Sequence, residues 1–211
     1  MKRALQALRT IALALLAWTI GADAATNYVP IALPHGVRME LPRNWEVLSG
    51  NQRITLDSSV EARYKSTDLF DASSDLNFGA NFYDEAGKAA AIVNVRYYPE
   101  LTLKQADARR ATAADVRELD ATVKSSLAQA GQSAGYSLLK WFGTSPRVLH
   151  GAVAFITEYE RSSINNNGVF RVRLIRVFNG QASFTATVSY RVSQEYLLRP
   201  ICDRIIASIQ P

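Results

Sequence analysis

The chain has 211 residues, with 24 Lys+Arg against 19 Asp+Glu and a formal net charge of +5. Apolar residues make up 48% of it and charged residues 20%. That balance excludes a wholly disordered, collagenous or polytopic membrane protein.

The N-terminus reads as an export signal. Lys2, Arg3 and Arg9 form a basic start, Ile11 to Ile20 is apolar, and Ala22-Asp23-Ala24 is a small-x-small cleavage pattern. The apolar run is well short of the roughly 20 residues that a membrane span needs, which disfavours an uncleaved signal anchor. No Cys follows it closely, so a lipidated N-terminus is not expected. Cleavage after Ala24 removes three basic and one acidic side chain, leaving 187 residues with a net charge of +3. Such a small charge is a weak basis for nucleic-acid or anionic-membrane binding. Residues 25–211 suit one domain with a sizeable core. Cys202 is the only cysteine, so an internal disulfide is excluded.

The first folded signal is Gly36 to Leu41, where Val37, Met39 and Leu41 share one strand face, followed by Pro42 and Trp45. Asn51 reads as the cap of a helix reaching Ser66, with Ile54, Val60 and Tyr64 on one side. Asp68, Asp71 and Asp75 form an acidic cluster without the Ca²⁺-loop pattern, read as solvated loop charge. A hairpin follows. Leu76, Phe78, Ala80 and Phe82 alternate with polar residues, Asp84 to Gly87 is the turn, and Ala91, Val93, Val95 and Tyr97 return.

Thr112 is a good N-cap with Asp115 three residues on. Val116, Leu119, Val123, Leu127 and Ala130 then form one helical stripe, and Gly131 is placed as the stop. A shorter helical piece starts near Thr102. The next strands are Tyr136–Phe142, a short piece Arg147–Leu149, Ala152–Arg161, Val169–Phe178 and Ala182–Arg191, with turns at Asn165–Gly168 and Asn179-Gly180. A last helix runs from near Ser193 to Ile209, with Leu198, Cys202, Ile205 and Ile209 on its stripe and Ile201 beside it. Pro200 either kinks it or lies in the first turn of a shorter one. Parallel βαβ alternation is absent, so the fold class is α+β with an antiparallel sheet.

Asn179-Gly180 sets local and global rules against each other. A two-residue type I′ loop pairs Leu174 with Thr185 and Val172 with Thr187. If only one face is buried, the apolar pattern instead favours a three-residue loop with Gly180 at a left-handed bulge position. That loop pairs Leu174 with Phe184, Val172 with Ala186 and Phe170 with Val188.

No motif carries coherent catalysis. Gly131 to Gly135 matches G-x-S-x-G with Ser133 as nucleophile, but a helix precedes it, a strand follows, and no acid lies between Ser133 and His150. His35 and His150 are far apart, each beside a turn glycine, and no metal-ligand spacing is present. Phosphate-loop and dinucleotide fingerprints are absent, and no cofactor is expected. Cys202 on an apolar stripe reads as a small buried hydrophobe. The remaining constellation is polar. Glu158 and Glu160 on one strand, and Arg171 and Arg173 on the next, share a face as cross-strand pairs, with Asn94 and Arg96 also outward. That face is either a solvated sheet surface or a binding face.

The segments Gly36-Val-Arg-Met-Glu-Leu-Pro42-Arg-Asn-Trp45 and Leu198-Arg-Pro-Ile-Cys-Asp-Arg-Ile-Ile-Ala-Ser-Ile209 resemble the opening strand and closing helix of the PsbP-like family of exported proteins. The resemblance implies a central antiparallel sheet sandwiched by helices. It also implies an accessory role: plant members assist photosystem II, and bacterial relatives are mostly accessory proteins without a shared catalytic site. The expectation is a non-enzymatic periplasmic or secreted accessory protein with a protein partner. The rivals are a serine hydrolase using Ser133 and a carrier of a small apolar ligand between sheet and helices.

The export reading has a direct check. Mass spectrometry of the protein recovered from the periplasm is expected to show a new N-terminus at Ala25. Intact Met1 on membrane-bound protein would overturn it.

Overall fold

A computed structural model describes residues 27–56, 76–98, 104–164, 168–178 and 183–211. The export segment through Ala24, the acidic cluster Asp68, Asp71 and Asp75, and Thr102 lie outside the described residues.

The chain opens with a two-stranded antiparallel sheet, β1 (Tyr28–Ala32) and β2 (Arg38–Pro42). Pro34 to Gly36 join them in a 3-10 turn, with His35 at φ 57° and Gly36 at φ 81°. β3 (Glu46–Val47) follows, then α1, whose described part is residues 50–56. Ser49, not Asn51, caps it. The Ser49 Oγ accepts from the Gln52 amide at 3.3 Å, and Gln52 Oε1 accepts from the Ser49 amide at 2.7 Å. This reciprocal pair ends the backbone's search for partners two residues earlier than Asn51 would. The expected remainder, with Val60 and Tyr64, lies outside the described residues.

The large sheet is antiparallel throughout, in the order β3-β4-β5-β9-β8-β7-β6. Its further strands are β4 (Leu76–Tyr83), β5 (Ala89–Tyr98), β6 (Leu138–Leu149), β7 (Ala152–Ser162), β8 (Val169–Phe178) and β9 (Ser183–Arg191). The helices are α2 (Gln105–Arg110), α3 (Ala113–Ala134) and α4 (Glu195–Ala207). The turn between β4 and β5 is as expected: Asp84 Oδ1 accepts from the amides of Ala86 and Lys88 at 3.0 and 2.9 Å.

Both faces of the sheet are covered. On face A, Phe78, Val93, Val95, Ile175, Phe184, Val188 and Tyr190 pack with β2, with Leu198, Cys202 and Ile205 of α4, and with Ile209 just beyond it. On face B, Tyr159, Phe170 and Val172 meet Val123 and Leu127 of α3, while Phe155 and Phe178 meet Ala108 of α2. α4 also reaches the small sheet. The Arg38 amide donates to the Gln210 carbonyl, and the Gln210 amide to the Arg38 carbonyl, both at 2.8 Å.

Coverage of both faces corrects the expected loop. Leu174 pairs with Thr187, Val172 with Ser189 and Phe170 with Arg191, and four residues separate Phe178 from Ser183. The three-residue register would have placed Leu174 on Phe184. The premise of one buried face fails for β9, an inner strand in which Ser183, Thr185 and Ser189 are buried on face B as thoroughly as Phe184, Ala186 and Val188 are on face A. Ser189 opposite Val172 is therefore a buried pair, and Thr187 opposite Leu174 a half-buried one, between two covered faces. Gly180 lies outside the described residues.

Two element boundaries also move, at the end of α3 and within β6. α3 runs past Gly131 and ends at Gly135, whose φ is 77°. Gly131 is helical and serves close approach. A Cβ there would lie 2.7 Å from the Tyr136 carbonyl oxygen. The capping box of Thr112 with Asp115 is as expected. The two expected pieces Tyr136–Phe142 and Arg147–Leu149 are one strand, β6, which absorbs a register shift between Trp141 and Gly143. The Asp120 carboxylate of α3 holds that shift, accepting from Trp141 Nε1 at 3.1 Å and from the Thr144 amide at 2.6 Å. Pro146 is tolerated because β6 is an edge strand. Pro200 lies inside α4 on its exposed side, where the missing N–H leaves the Tyr196 carbonyl to solvent.

Cys202 is fully buried on the α4 stripe, and burial pushes its thiol up to about 12. The native thiol is therefore expected to react slowly with an alkylating reagent at pH 8, and quickly once urea unfolds the chain. Equal rates in both states would place it on the wrong helix face. Cys202→Ala is expected to cost about 1 kcal/mol in urea unfolding.

Candidate functional site

The residues singled out from sequence divide between the two faces. β7 and β8 pair Glu158 with Arg173 and Glu160 with Arg171, so these four side chains share face A. Arg96 does not join them. It pairs with Thr185, which pairs with Arg176, and this row lies on face B. Alternation along β5 makes the separation unavoidable, because Val93 and Val95 already occupy face A.

The four face-A charges form one network. Arg171 Nη1 donates to Glu158 Oε1 at 2.8 Å, and its Nη2 and Nε donate to Glu160 Oε1 at 2.8 and 3.1 Å. Arg173 Nε lies 3.4 Å from Glu158 Oε1, and its Nη1 donates to Asp203 of α4. Asp203 also lies 3.9 Å from Arg199 Nε. The Arg171 guanidinium sits 3.9 Å from the centre of the Phe142 ring, with Lys140 Nζ 4.7 Å from the same ring. Tyr190, the strand partner of Arg171, donates its hydroxyl to Glu195 Oε1 at 3.2 Å.

Burial disfavours the charge on Arg171, but hydrogen bonds to Glu158 and Glu160 outweigh it and hold the guanidinium above its ordinary range. Arg173 follows the same pattern, with Asp203 as its main partner. Arg171 and Arg173 side chains are only 13% and 11% exposed, against 28% for Glu158 and 49% for Asp203. The arginines and Glu160, itself 16% exposed, are therefore the inner layer of the network, and Glu158 and Asp203 face outward. Sequence reading missed Asp203, Phe142 and Lys140. Asp203 had a signal, being the polar residue next to Cys202 on the same helix.

The other singled-out residues do not converge here. Ser133 is exposed in the last turn of α3, not on a strand-to-helix elbow. His35 and His150 both adopt positive φ beside a glycine. His150 Nε2 lies 2.9 Å from the Ala207 carbonyl at the end of α4, and the His35 ring centre lies 4.8 Å from that of Tyr97. Among the described residues no group of three acidic, histidine or cysteine side chains is placed to hold a metal ion. No described helix is long and apolar enough to cross a membrane.

No protein-family model matches the chain, and no curated protein matches it in sequence. Similarity appears in three dimensions. The solution structure of cyanobacterial PsbP (CyanoP) from Synechocystis sp. PCC 6803 superimposes with a TM-score of 0.54 at 12% identity, over 91% of this chain and 96% of that one. The crystal structure of LpqN, involved in cell envelope biogenesis of Mycobacterium tuberculosis, covers 88% of this chain and 91% of its own, at 11% identity and a TM-score of 0.43. The fold is the PsbP-like one, a large antiparallel sheet with helices packed on it.

The network makes a stability claim. Arg171→Met leaves Glu158 and Glu160 facing each other half-buried without their shared cation. The expected cost is about 1–2 kcal/mol in urea unfolding, between the limits for exposed and buried pairs. A double-mutant cycle with Glu160→Gln is expected to return a coupling of at least about 0.5 kcal/mol. Additive losses would show that the pair contributes nothing.

Proposed function

We propose that this chain is an exported, non-enzymatic accessory protein that works by engaging a protein partner through the charged end of face A. One observation carries the reading. The ionisable groups of that face are spent on one another, in an ordered row from Phe142 through Arg171 and Arg173 to Asp203, and do not converge on a point where a reacting atom would sit. An ordered polar surface with aromatic residues at its margin suits recognition better than catalysis. The aromatic margin is present: Phe142 is 41% exposed and Tyr196, next to Glu195, is 85% exposed. The export pattern at the N-terminus and the fold shared with cyanobacterial PsbP support the accessory role.

Charge reversal at Arg171 and Arg173 is a poor probe, because both arginines hold α4 and the neighbouring strands. Phe142→Ala with Tyr196→Ala removes margin side chains and leaves the ion pairs in place. The tagged full-length chain is expressed in its native cells, crosslinked, and its partners identified by mass spectrometry. The double variant is expected to lose the crosslinked partner at least fivefold with an unchanged circular dichroism spectrum. Equal recovery of the same partner by both chains would place the docking surface elsewhere.

A further inference from the structure

A cavity of about 410 Å³ lies between face B and the helices α2 and α3. Ala108, Ala111, Leu119, Phe155 and Phe178 give it an apolar lining, Arg176 supplies the inner charge, and Asp107, Arg110 and Asp115 stand at its exposed rim. Its size falls in the range of small-molecule sites. Gln105 fixes its roof. Its Nε2 donates to the carbonyls of Val153 and Phe178 at 2.9 and 2.6 Å, and its Oε1 accepts from the Val153 amide at 2.8 Å, so α2 is tied to the ends of β7 and β8.

Arg176 is out of pattern. Its neighbours on face B of the same strand are Leu174 and Phe178, and its strand partners are Phe155 and Thr185. Arg171 and Arg173 on the same strand have carboxylates. Among the described residues no hydrogen bond or ion pair reaches Arg176, and Tyr98 is the one group there whose charge favours its own. Burial pushes its guanidinium below the ordinary arginine range. Beside it, two more polar groups lack partners. The hydroxyls of Thr185 and Ser183 are buried without a hydrogen bond, and these residues pair with Arg176 and Phe178 across the strand. A desolvated cation is costly unless something binds it, and Arg176, unlike these two hydroxyls, lines the cavity. The two acidic residues at the cavity are already committed. Asp107 accepts from the Lys104 amide at 3.1 Å and Asp115 from the Thr112 amide at 2.7 Å, each capping a helix start. They leave the inner cation uncompensated.

We infer that this cavity binds a medium-chain carboxylate, its tail against Leu119, Phe155 and Phe178 and its head forked on Arg176. The inference rests on reading the chain as a binding protein. A carboxylate matches the planar Arg176 guanidinium in geometry and in unit charge, whereas the second charge of a phosphate monoester would meet the carboxylates of Asp107 and Asp115 as well as Arg110 at the cavity wall. At the roughly 30 Å³ that a water molecule occupies in the liquid, the cavity holds about a dozen non-hydrogen atoms.

The test is calorimetric titration of the purified protein with decanoate and, separately, with decan-1-ol. Decanoate is expected to bind saturably, one per chain, at least tenfold more tightly than the alcohol. Arg176→Met is expected to bring decanoate down to the level of the alcohol while leaving the alcohol unchanged. Ala111→Phe is expected to weaken both by filling the cavity. Because Arg176 has no partner in the free protein, Arg176→Met is also expected to raise Tm by about 3 °C. No saturable decanoate binding, equal affinity for acid and alcohol, or a fall in Tm for Arg176→Met would overturn the inference. Such a failure leaves the partner reading standing, since that is measured by crosslinking through Phe142 and Tyr196 beside face A.

Discussion

The sheet must be covered on both sides, and most of the structure follows from that constraint. β9 lies inside the sheet between β5 and β8, and its residues are buried on both faces. A seven-stranded sheet with an inner strand of this kind cannot leave one side to water. α4 and the small β1/β2 sheet close face A, and α2 and α3 close face B. The packing elements are few and the sheet is wide. Each face therefore has a covered part and an edge where the cover stops, and the charged side chains are found at these edges.

The two edges are resolved differently. On face A the cover ends at α4, and the arginines of β8 meet carboxylates from β7 and from Asp203. Burial costs are offset there by hydrogen-bonded pairs whose outer members remain wet. On face B the cover is made of a short helix and a long one, and they do not fill the space above Arg176. The space opens to solvent between Asp107, Arg110 and Asp115, so it is a pocket with a mouth and an inner wall. The side chains around it are ordered by neighbours: Phe155 and Phe178 stand with ring centres 6.1 Å apart, and Gln105 bonds two carbonyls and an amide.

Much of this was legible in the sequence. The hairpin at Asp84 to Gly87, the Thr112 cap, the α4 stripe and the shared face of Glu158, Glu160, Arg171 and Arg173 all follow from local rules that tertiary structure did not override. What was not legible depended on knowing which faces are covered. Serine and threonine at 183, 185, 187 and 189 look like an outward row, so the apolar pattern alone favours a register that leaves them to solvent. Arg96 looked outward for the same reason, and it lies across the sheet from the network it was grouped with. Gly131 looked like a helix stop, but its lack of a side chain is used for the approach of Tyr136. For the β9 row and Arg96 the cause lay in distant elements that cover the sheet, and for Gly131 it lay in the chain's return at Tyr136.

Three arginines on β8 make the same point at the level of energy. Arg171 and Arg173 alternate with Val172 on a face where acids wait across the strand. Their charges are raised in stability by those acids despite burial. Arg176 breaks the rhythm. Phe170, Val172, Leu174 and Phe178 mark face B as apolar, and one cation stands among them with no acid opposite. A sequence shaped only by folding would place an apolar residue there, since even a fully paired buried charge is often no better than a hydrophobe of the same volume. A position at which the local pattern is broken without compensation is where function is expected to reside. The unpaired arginine is thus best understood as part of a site whose complement comes from outside the chain.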